Sequence, residues 1–316
     1  MHKDEARPLV SVCCITYNHA AFLAQAIESV LAQEAPFAIE LVIGEDCSTD
    51  DTRRIALDYE RRFPQQVRVL PAAPNRGIMP NLMATLATCT GRYIALLDGD
   101  DYWTDPHKLQ QQVAVLEAQP GCALCVHDAE AFVEDGAEPP YLFSTKYSWL
   151  PRLAGPISQG SLVRFGWGIP TASMLFRRER LVPLPGWFRG VFSGDYTLQL
   201  LCSQVGYVYY LPRVMSRYRL HAGGVSRPTN NSLAHNRKRI FETRQLQRRL
   251  PAHYHPVFAK TLEELYFQRS ALLGVLGNRR KQLAYLWQAL NVDRSQLPRH
   301  LARIAKKLVR GLRLAA

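Results

Sequence analysis

Short apolar runs alternate with segments of helical period from residue 9 to about residue 131, and this alternation limits the chain to a parallel sheet covered by helices. Leu9 to Ile15, Ile39 to Gly44, Val67 to Leu70, Tyr93 to Leu97 and Ala123 to Ala131 read as strands. Between them, Ala21 to Ala32, Thr52 to Phe63, Asn81 to Ala87 and Pro106 to Glu117 carry apolar residues three or four apart and read as the crossover helices. Ser48 to Asp51 supply caps for the second helix, and Thr104 or Asp105 before Pro106 supplies one for the fourth.

Residues 132 to 170 are rich in Pro, Gly and aromatics and read as a loop-rich cover over the sheet. A second strand group follows at Ala172 to Phe176, Tyr207 to Leu211 and Val214 to Arg219, around a helical Tyr196 to Gln204. The chain then passes Gly223-Gly224 and becomes helical and basic, so the sequence divides into residues 1–224 and an extension over 225–316. Residues 1–224 hold 20 Lys and Arg against 23 Asp and Glu, while the last 92 residues hold 19 against 4. The whole basic excess lies in the extension, which calls for an anionic partner. Arg299 to Leu314 places Leu301, Ile304, Ala305, Leu308, Val309 and Leu312 at helical spacing, with Arg303, Lys306, Lys307, Arg310 and Arg313 between them. That pattern suits docking at an anionic membrane surface, with packing on its own domain as the plainer alternative and nucleic acid disfavoured for want of a motif.

No apolar run reaches the roughly 20 residues of a membrane-crossing helix, and the amino terminus lacks an export signal, so a cytoplasmic protein is expected, peripheral on the inner face of the cell membrane. Seven cysteines without a disulfide framework are expected to be reduced thiols. Cys122-Ala123-Leu124-Cys125 lacks the second ligand pair of a zinc site.

In open α/β sheets ligands sit beyond the carboxyl ends of the strands. Here those ends are polar: Thr16-Tyr17-Asn18-His19, Glu45-Asp46-Cys47-Ser48 and Asp98-Gly99-Asp100-Asp101. No glycine-rich dinucleotide or phosphate-loop motif accompanies them. Three carboxylates within four residues repel one another unless a cation sits among them, and oxygen ligands of this kind suit Mn²⁺ or Mg²⁺ shared with substrate phosphate.

The order and content of these motifs resemble the inverting family 2 glycosyltransferases of GT-A fold. The resemblance runs from Val10-Ser11-Val12-Cys13-Cys14-Ile15-Thr16-Tyr17-Asn18 through Glu45-Asp46-Cys47-Ser48 and Asn75-Arg76-Gly77 to Gly91 to Asp101, and covers roughly residues 8 to 224. It implies that Thr16, Tyr17, Asn18 and Asp46 hold the nucleoside, the base stacking on Tyr17 and Asp46 accepting from the base N–H. Arg76 and Asn81 match family positions near the nucleotide. Asp98-Gly99-Asp100 is similar to the family's D-x-D motif, with Asp100 at the ribose or the metal and Asp101 sharing the ion, the choice between the two left open. Tyr218 to Gly224 resembles the carboxyl-terminal histidine motif, which gives His221 a place on the metal or the diphosphate. Glu45 and Cys47 depart from the usual Asp and Gly, and Cys47 is read as filling space.

Breaking a sugar–diphosphate bond needs stabilisation of the leaving phosphate and a base for the incoming hydroxyl. The base implied by the resemblance is Asp195, in Phe192-Ser193-Gly194-Asp195-Tyr196, where Gly194 would let the backbone approach the acceptor. Gly166 to Thr171 is a candidate for a loop closing over the substrates, and His127 with Asp128 could face the acceptor. The expected activity is metal-dependent, inverting transfer from a UDP- or dTDP-sugar to a glycan or lipid-linked hydroxyl in surface polysaccharide synthesis. A sugar nucleotidyltransferase and a non-catalytic glycan or polyanion binder are the alternatives.

Overall fold

The computed structural model describes residues 7–224 and 232–292, so the basic helix expected over 299–314 lies outside the described residues. Among the described residues the chain forms two compact units, one of residues 7–189 and 193–224, the other of 190–192 and 232–292.

The first unit is built on one ten-stranded sheet. Its opening half is a parallel run: β1 (Val10–Thr16), β2 (Ile39–Glu45), β3 (Val67–Val69) and β4 (Tyr93–Asp98), with α1 (Leu23–Leu31), α2 (Thr52–Arg62) and α3 (Ile78–Thr88) in the crossovers. Each expected strand and helix of this half is present within a few residues of its expected bounds. The cause is visible in α1, where Leu23, Ala26, Ile27 and Val30 are buried at spacings of three and four. Each large side chain so buried contributes about 1.5–3 kcal/mol. Val12, Cys14, Ile43 and Leu97 meet that helical layer from the sheet.

The second half continues with β5 (Tyr102–Trp103), α4 (Lys108–Ala118), β6 (Cys122–Val133), β7 (Tyr141–Leu142), α5 (Phe143–Lys146), β8 (Gly155–Ile157) and α6 (Gln159–Phe165). It ends with β9 (Leu175–Arg177), α7 (Arg178–Leu181), α8 (Gly194–Val205) and β10 (Tyr207–Leu220). The main strand order is β3-β2-β1-β4-β9-β6-β10-β5. β9 runs antiparallel to both β4 and β6, whereas β6 and β10 pair in parallel. The two strands expected at 207–211 and 214–219 are one strand, irregular between Leu211 and Ser216 where Pro212 cannot donate to the ladder.

The expected caps are corrected by the structure. α4 begins at Lys108 rather than at Pro106, and Asp105 instead accepts from the His107 backbone N–H at 2.8 Å and from Gln111 at 2.9 Å. At α2, Asp50 accepts from Thr52 N–H at 3.0 Å and from Ala20 N–H at 3.1 Å, so it joins two loops as well as starting a helix.

The second unit holds α9 (Leu233–Arg249), α10 (His255–Val275) and α11 (Arg279–Val292) around Ile240, Leu262, Leu265, Tyr266 and Ala289. No helix of the described residues is long and apolar enough to cross a membrane. All seven cysteines are free thiols and all but Cys47 are buried.

Candidate active site

The carboxyl ends of β1, β2 and β4 lie side by side because these strands are in parallel register, Thr16 opposite Glu45 and Ile15 opposite Asp98. Their loops are stitched together. Asn18, at φ 55°, accepts from Thr49 N–H at 2.8 Å, and its own N–H donates to Ser48 Oγ at 2.9 Å. Asn18 thus shapes the loop. Cys47 also lies in the left-handed region, at φ 60°, and is exposed, so it does not fill space. A backbone of that kind favours glycine, which accounts for the residue usual at this position.

Asp46 is buried, and its two carboxylate oxygens accept from Arg76 N–H and Gly77 N–H, each at 2.8 Å. Asn75 Nδ2 donates to the Asp46 carbonyl at 2.8 Å. Asp46 therefore anchors the loop that carries Arg76, whose side chain is exposed. Asn81 was expected near the nucleotide, yet it is buried and its Nδ2 donates to Gly44 O at 2.7 Å, a clasp between α3 and β2. Tyr17 is 44% exposed, whereas Thr16 is buried with its Oγ1 unpartnered.

Gly99 separates two carboxylates where a side chain has no room, since a Cβ there would lie 2.5 Å from Thr16 Oγ1. Asp98 is pushed up to about 8 by its removal from water and by the charges of Asp100 and Asp195. Burial alone would raise Asp100 as well, but the hydrogen bond from His221 and the nearby imidazole of His19 outweigh it and hold Asp100 below the usual range. Asp101 is raised well above that range by burial and by the other two carboxylates. Its Oδ1 accepts from Arg219 N–H at 2.8 Å, and its Oδ2 is buried without a partner.

Among the described residues, His19, Asp100 and His221 form a group that could hold a metal ion, their ligand atoms all lying within 4.8 Å of one another. His221 Nε2 is 3.1 Å and His19 Nε2 3.7 Å from Asp100 Oδ2. Asp100 and His221 thus meet as the sequence suggested. Asp101 stands outside this group and His19 stands in it. The neighbouring buried oxygen and the two imidazoles fit a divalent cation of the kind that accepts nitrogen ligands. Arg219 braces the group, its Nε donating to Asp100 O at 2.8 Å, its guanidinium bonded to Glu134 and lying 4.6 Å from the Phe22 ring centroid.

Asp195 opens α8. It accepts from the Trp167 indole N–H, from Ser193 Oγ and, at 2.7 Å, from Tyr196 N–H. Burial raises its proton affinity, and those three donors moderate the rise. Gly194 packs on α3 rather than opening space for an acceptor, because a Cβ there would lie 2.7 Å from Met79 Sδ. Trp167 follows Gly166, at φ 71°, and meets Phe143 and Tyr147 with ring centroids 5.6 and 5.7 Å away. His127 and Asp128 do not form a pair facing the acceptor. Buried His127 directs Nδ1 at the Asp128 carbonyl, and the Asp128 carboxylate accepts from Ser144 N–H and Oγ, holding α5 on the sheet.

Sequence reasoning missed His19 as a group facing Asp100, Trp167 as the partner of Asp195, and Arg219 as the brace. The signal for His19 was its place in the polar run after β1. Trp167 and Arg219 act over separations of 28 and 119 residues, which no local pattern encodes.

Residues 11–181 match the sequence model of glycosyl transferase family 2, more than half of the chain. The chain belongs to that family. An uncharacterized protein of Mycobacterium tuberculosis (strain ATCC 25618 / H37Rv) is 33% identical over 238 residues, covering 74% of this family 2 chain and 64% of its own length. The chain thus spans just under two thirds of the first relatives it matches. The succinoglycan biosynthesis protein ExoO of Rhizobium meliloti is 30% identical over 158 residues, 50% of this chain and 44% of ExoO. Among solved structures, S. aureus TarS 1-349 in complex with UDP-GlcNAc superposes with a TM-score of 0.61 at 15% identity, over 90% of this chain and 81% of TarS. The mannosyltransferase PcManGT of Pyrobaculum calidifontis, in complex with GDP-Man and Mn²⁺, gives 0.58 at 17% identity, over 98% and 81%. The fold of this family 2 chain is GT-A.

Proposed function

We propose that this protein is a divalent-metal-dependent, inverting glycosyltransferase that moves a sugar from a UDP- or dTDP-sugar to a hydroxyl of a glycan or lipid-linked acceptor in surface polysaccharide synthesis. The observation that carries the reading is the pairing of two unlike acidic centres. Asp100, kept ionised beside His19 and His221, sits at one. Asp195, a half-buried carboxylate with raised proton affinity, sits at the other, close enough for its charge to act on Asp98. Two carboxylates driven apart in proton affinity by their surroundings are the arrangement that divides binding from proton transfer. The TarS and PcManGT complexes support a nucleotide-sugar donor, the Mn²⁺ of PcManGT supports a divalent ion, and ExoO supports a polysaccharide setting.

Asp100 and His221 would hold the metal, with His19 alongside, and the two imidazoles favour Mn²⁺ over Mg²⁺. When bound, such an ion neutralises the charge that grows on the leaving diphosphate. Exposed Tyr17 offers its ring to the nucleobase, and Asp46 keeps a lone pair on each oxygen for a base N–H while fixing the loop that presents Arg76 to phosphate. Thr16 Oγ1 is free to meet the nucleoside. Asp195 takes the proton of the acceptor hydroxyl as the oxygen attacks the anomeric carbon from the face opposite the diphosphate, so one displacement inverts that centre.

The test is a panel of nucleotide sugars with Mn²⁺ or Mg²⁺, following nucleoside diphosphate release and the anomeric configuration of the product. Asp195→Asn is expected to keep donor affinity and to lower turnover by about a thousandfold, the range of a lost general base. Release as fast as the parent's would remove Asp195 from this role.

A further inference from the structure

We propose that the α10–α11 hairpin of the second unit is a docking surface for an anionic lipid bilayer. This inference does not depend on the activity assigned above. The inner side of the hairpin is fully engaged. Tyr266 and Tyr285 lie with ring centroids 6.2 Å apart, Ser270 Oγ donates to Gln282 O at 2.9 Å, and Leu262, Leu265, Tyr266 and Ala289 form the local core. The exposed side carries large apolar residues. Val275 is 88% exposed, Leu276 66%, Leu283 63% and Trp287 66%. Leu283 and Trp287 are one helical turn apart, and exposed Arg280 and Ala284 continue their stripe at spacings of three and four.

Charge identifies the occupant. Arg279, Arg280 and Lys281 are exposed and follow directly on the turn at Gly277-Asn278, between Val275-Leu276 and Leu283. From residue 265 to residue 292 there is no Asp or Glu. Apolar side chains with an indole, beside three exposed cations at the turn, match the boundary of a bilayer, where Leu, Val and Trp enter the acyl region and Arg and Lys meet anionic headgroups. The surface lies within the described residues and does not require the amphipathic stretch at 299–314.

The full-length protein is mixed with vesicles of equal parts phosphatidylcholine and phosphatidylglycerol, or of phosphatidylcholine alone, and sedimented. The parent protein is expected to sediment with the anionic vesicles and to stay in solution with the zwitterionic ones. Replacing Arg279, Arg280 and Lys281 by Gln should cut the partition by about a hundredfold, each cation near the surface being worth close to a factor of five. Leu283→Ser with Trp287→Ser should cut it by at least about tenfold. Circular dichroism melting checks that each variant is folded. Should either fail to fold, Trp287→Phe is used with brominated lipid, where the parent is expected to lose indole fluorescence that the variant does not. Unchanged partition of folded variants, equal quenching of parent and Trp287→Phe, or no binding by the parent overturns the proposal. So does a dimer seen by light scattering that Trp287→Ser abolishes, which would make the face a contact between copies.

Discussion

At the scale of single residues, the role proposed for Asp195 asks one carboxylate to hold a proton more tightly than usual and yet to be ionised when the acceptor binds. Burial raises its affinity, and the hydrogen bonds from Ser193, Trp167 and Tyr196 pull the other way. A general base works when ionised, so kcat/KM should fall as pH drops, with its acid limb above the ordinary carboxylate range. Trp167→Phe removes a donor that stabilises the ionised form, so the limb should move to higher pH while donor affinity is unchanged. A pH profile of both proteins decides it, and an unmoved limb means the indole serves only packing. His19, Asp100 and His221 make a separate prediction. A ligand that binds the folded state alone stabilises by about 2.7 kcal/mol at one hundred times its dissociation constant. Mn²⁺ should therefore raise the melting temperature of the parent, and Asp100→Asn or His221→Ala should abolish the rise.

At the scale of elements, close approach of α3 to the sheet seats it on β1 and β2. Gly44 makes it possible, since a Cβ there would fall 1.9 Å from Thr85 Oγ1. Gly44→Ala is expected to destabilise by about 1–3 kcal/mol in urea unfolding, as overpacking does, and Thr85→Ala in the same chain should return part of that loss. The same elements show how far the sequence could be read. Strands β1, β2 and β4 and the helices between them are legible because each pairs an uninterrupted apolar run with a helical stripe. The positions of Asp46, Asp98 and Asp100 are legible because they sit at the ends of those elements, whereas Asp195, at the start of α8, is legible through the family resemblance. Two-residue β5 is not, since so short a strand borrows its stability from neighbours distant in sequence, and although a strand is legible at 172–176, the antiparallel placement of β9 between β4 and β6 is not. The use of Asn81 on Gly44 and of Asp101 on Arg219 also escapes, because a polar side chain near a site looks alike whether it faces a ligand or the backbone.

Across the whole molecule, the long strand β10 serves two regions at once. Arg217 and Arg219 lie over Phe132, and Arg219 also donates to the Asp100 carbonyl, while Tyr218 has Trp167 6.1 Å away on the other face. Between Leu211 and Ser216 the pairing with β6 slips by three residues, from Leu211 opposite His127 to Ser216 opposite Ala129. An odd slip exchanges the two faces of a strand. The count of residues from 212 to 215 therefore acts as a gearing between the arginine that holds Asp100 and the aromatics beside Asp195. Losing or gaining one residue there would swap Arg219 with Tyr218 and disengage both regions together.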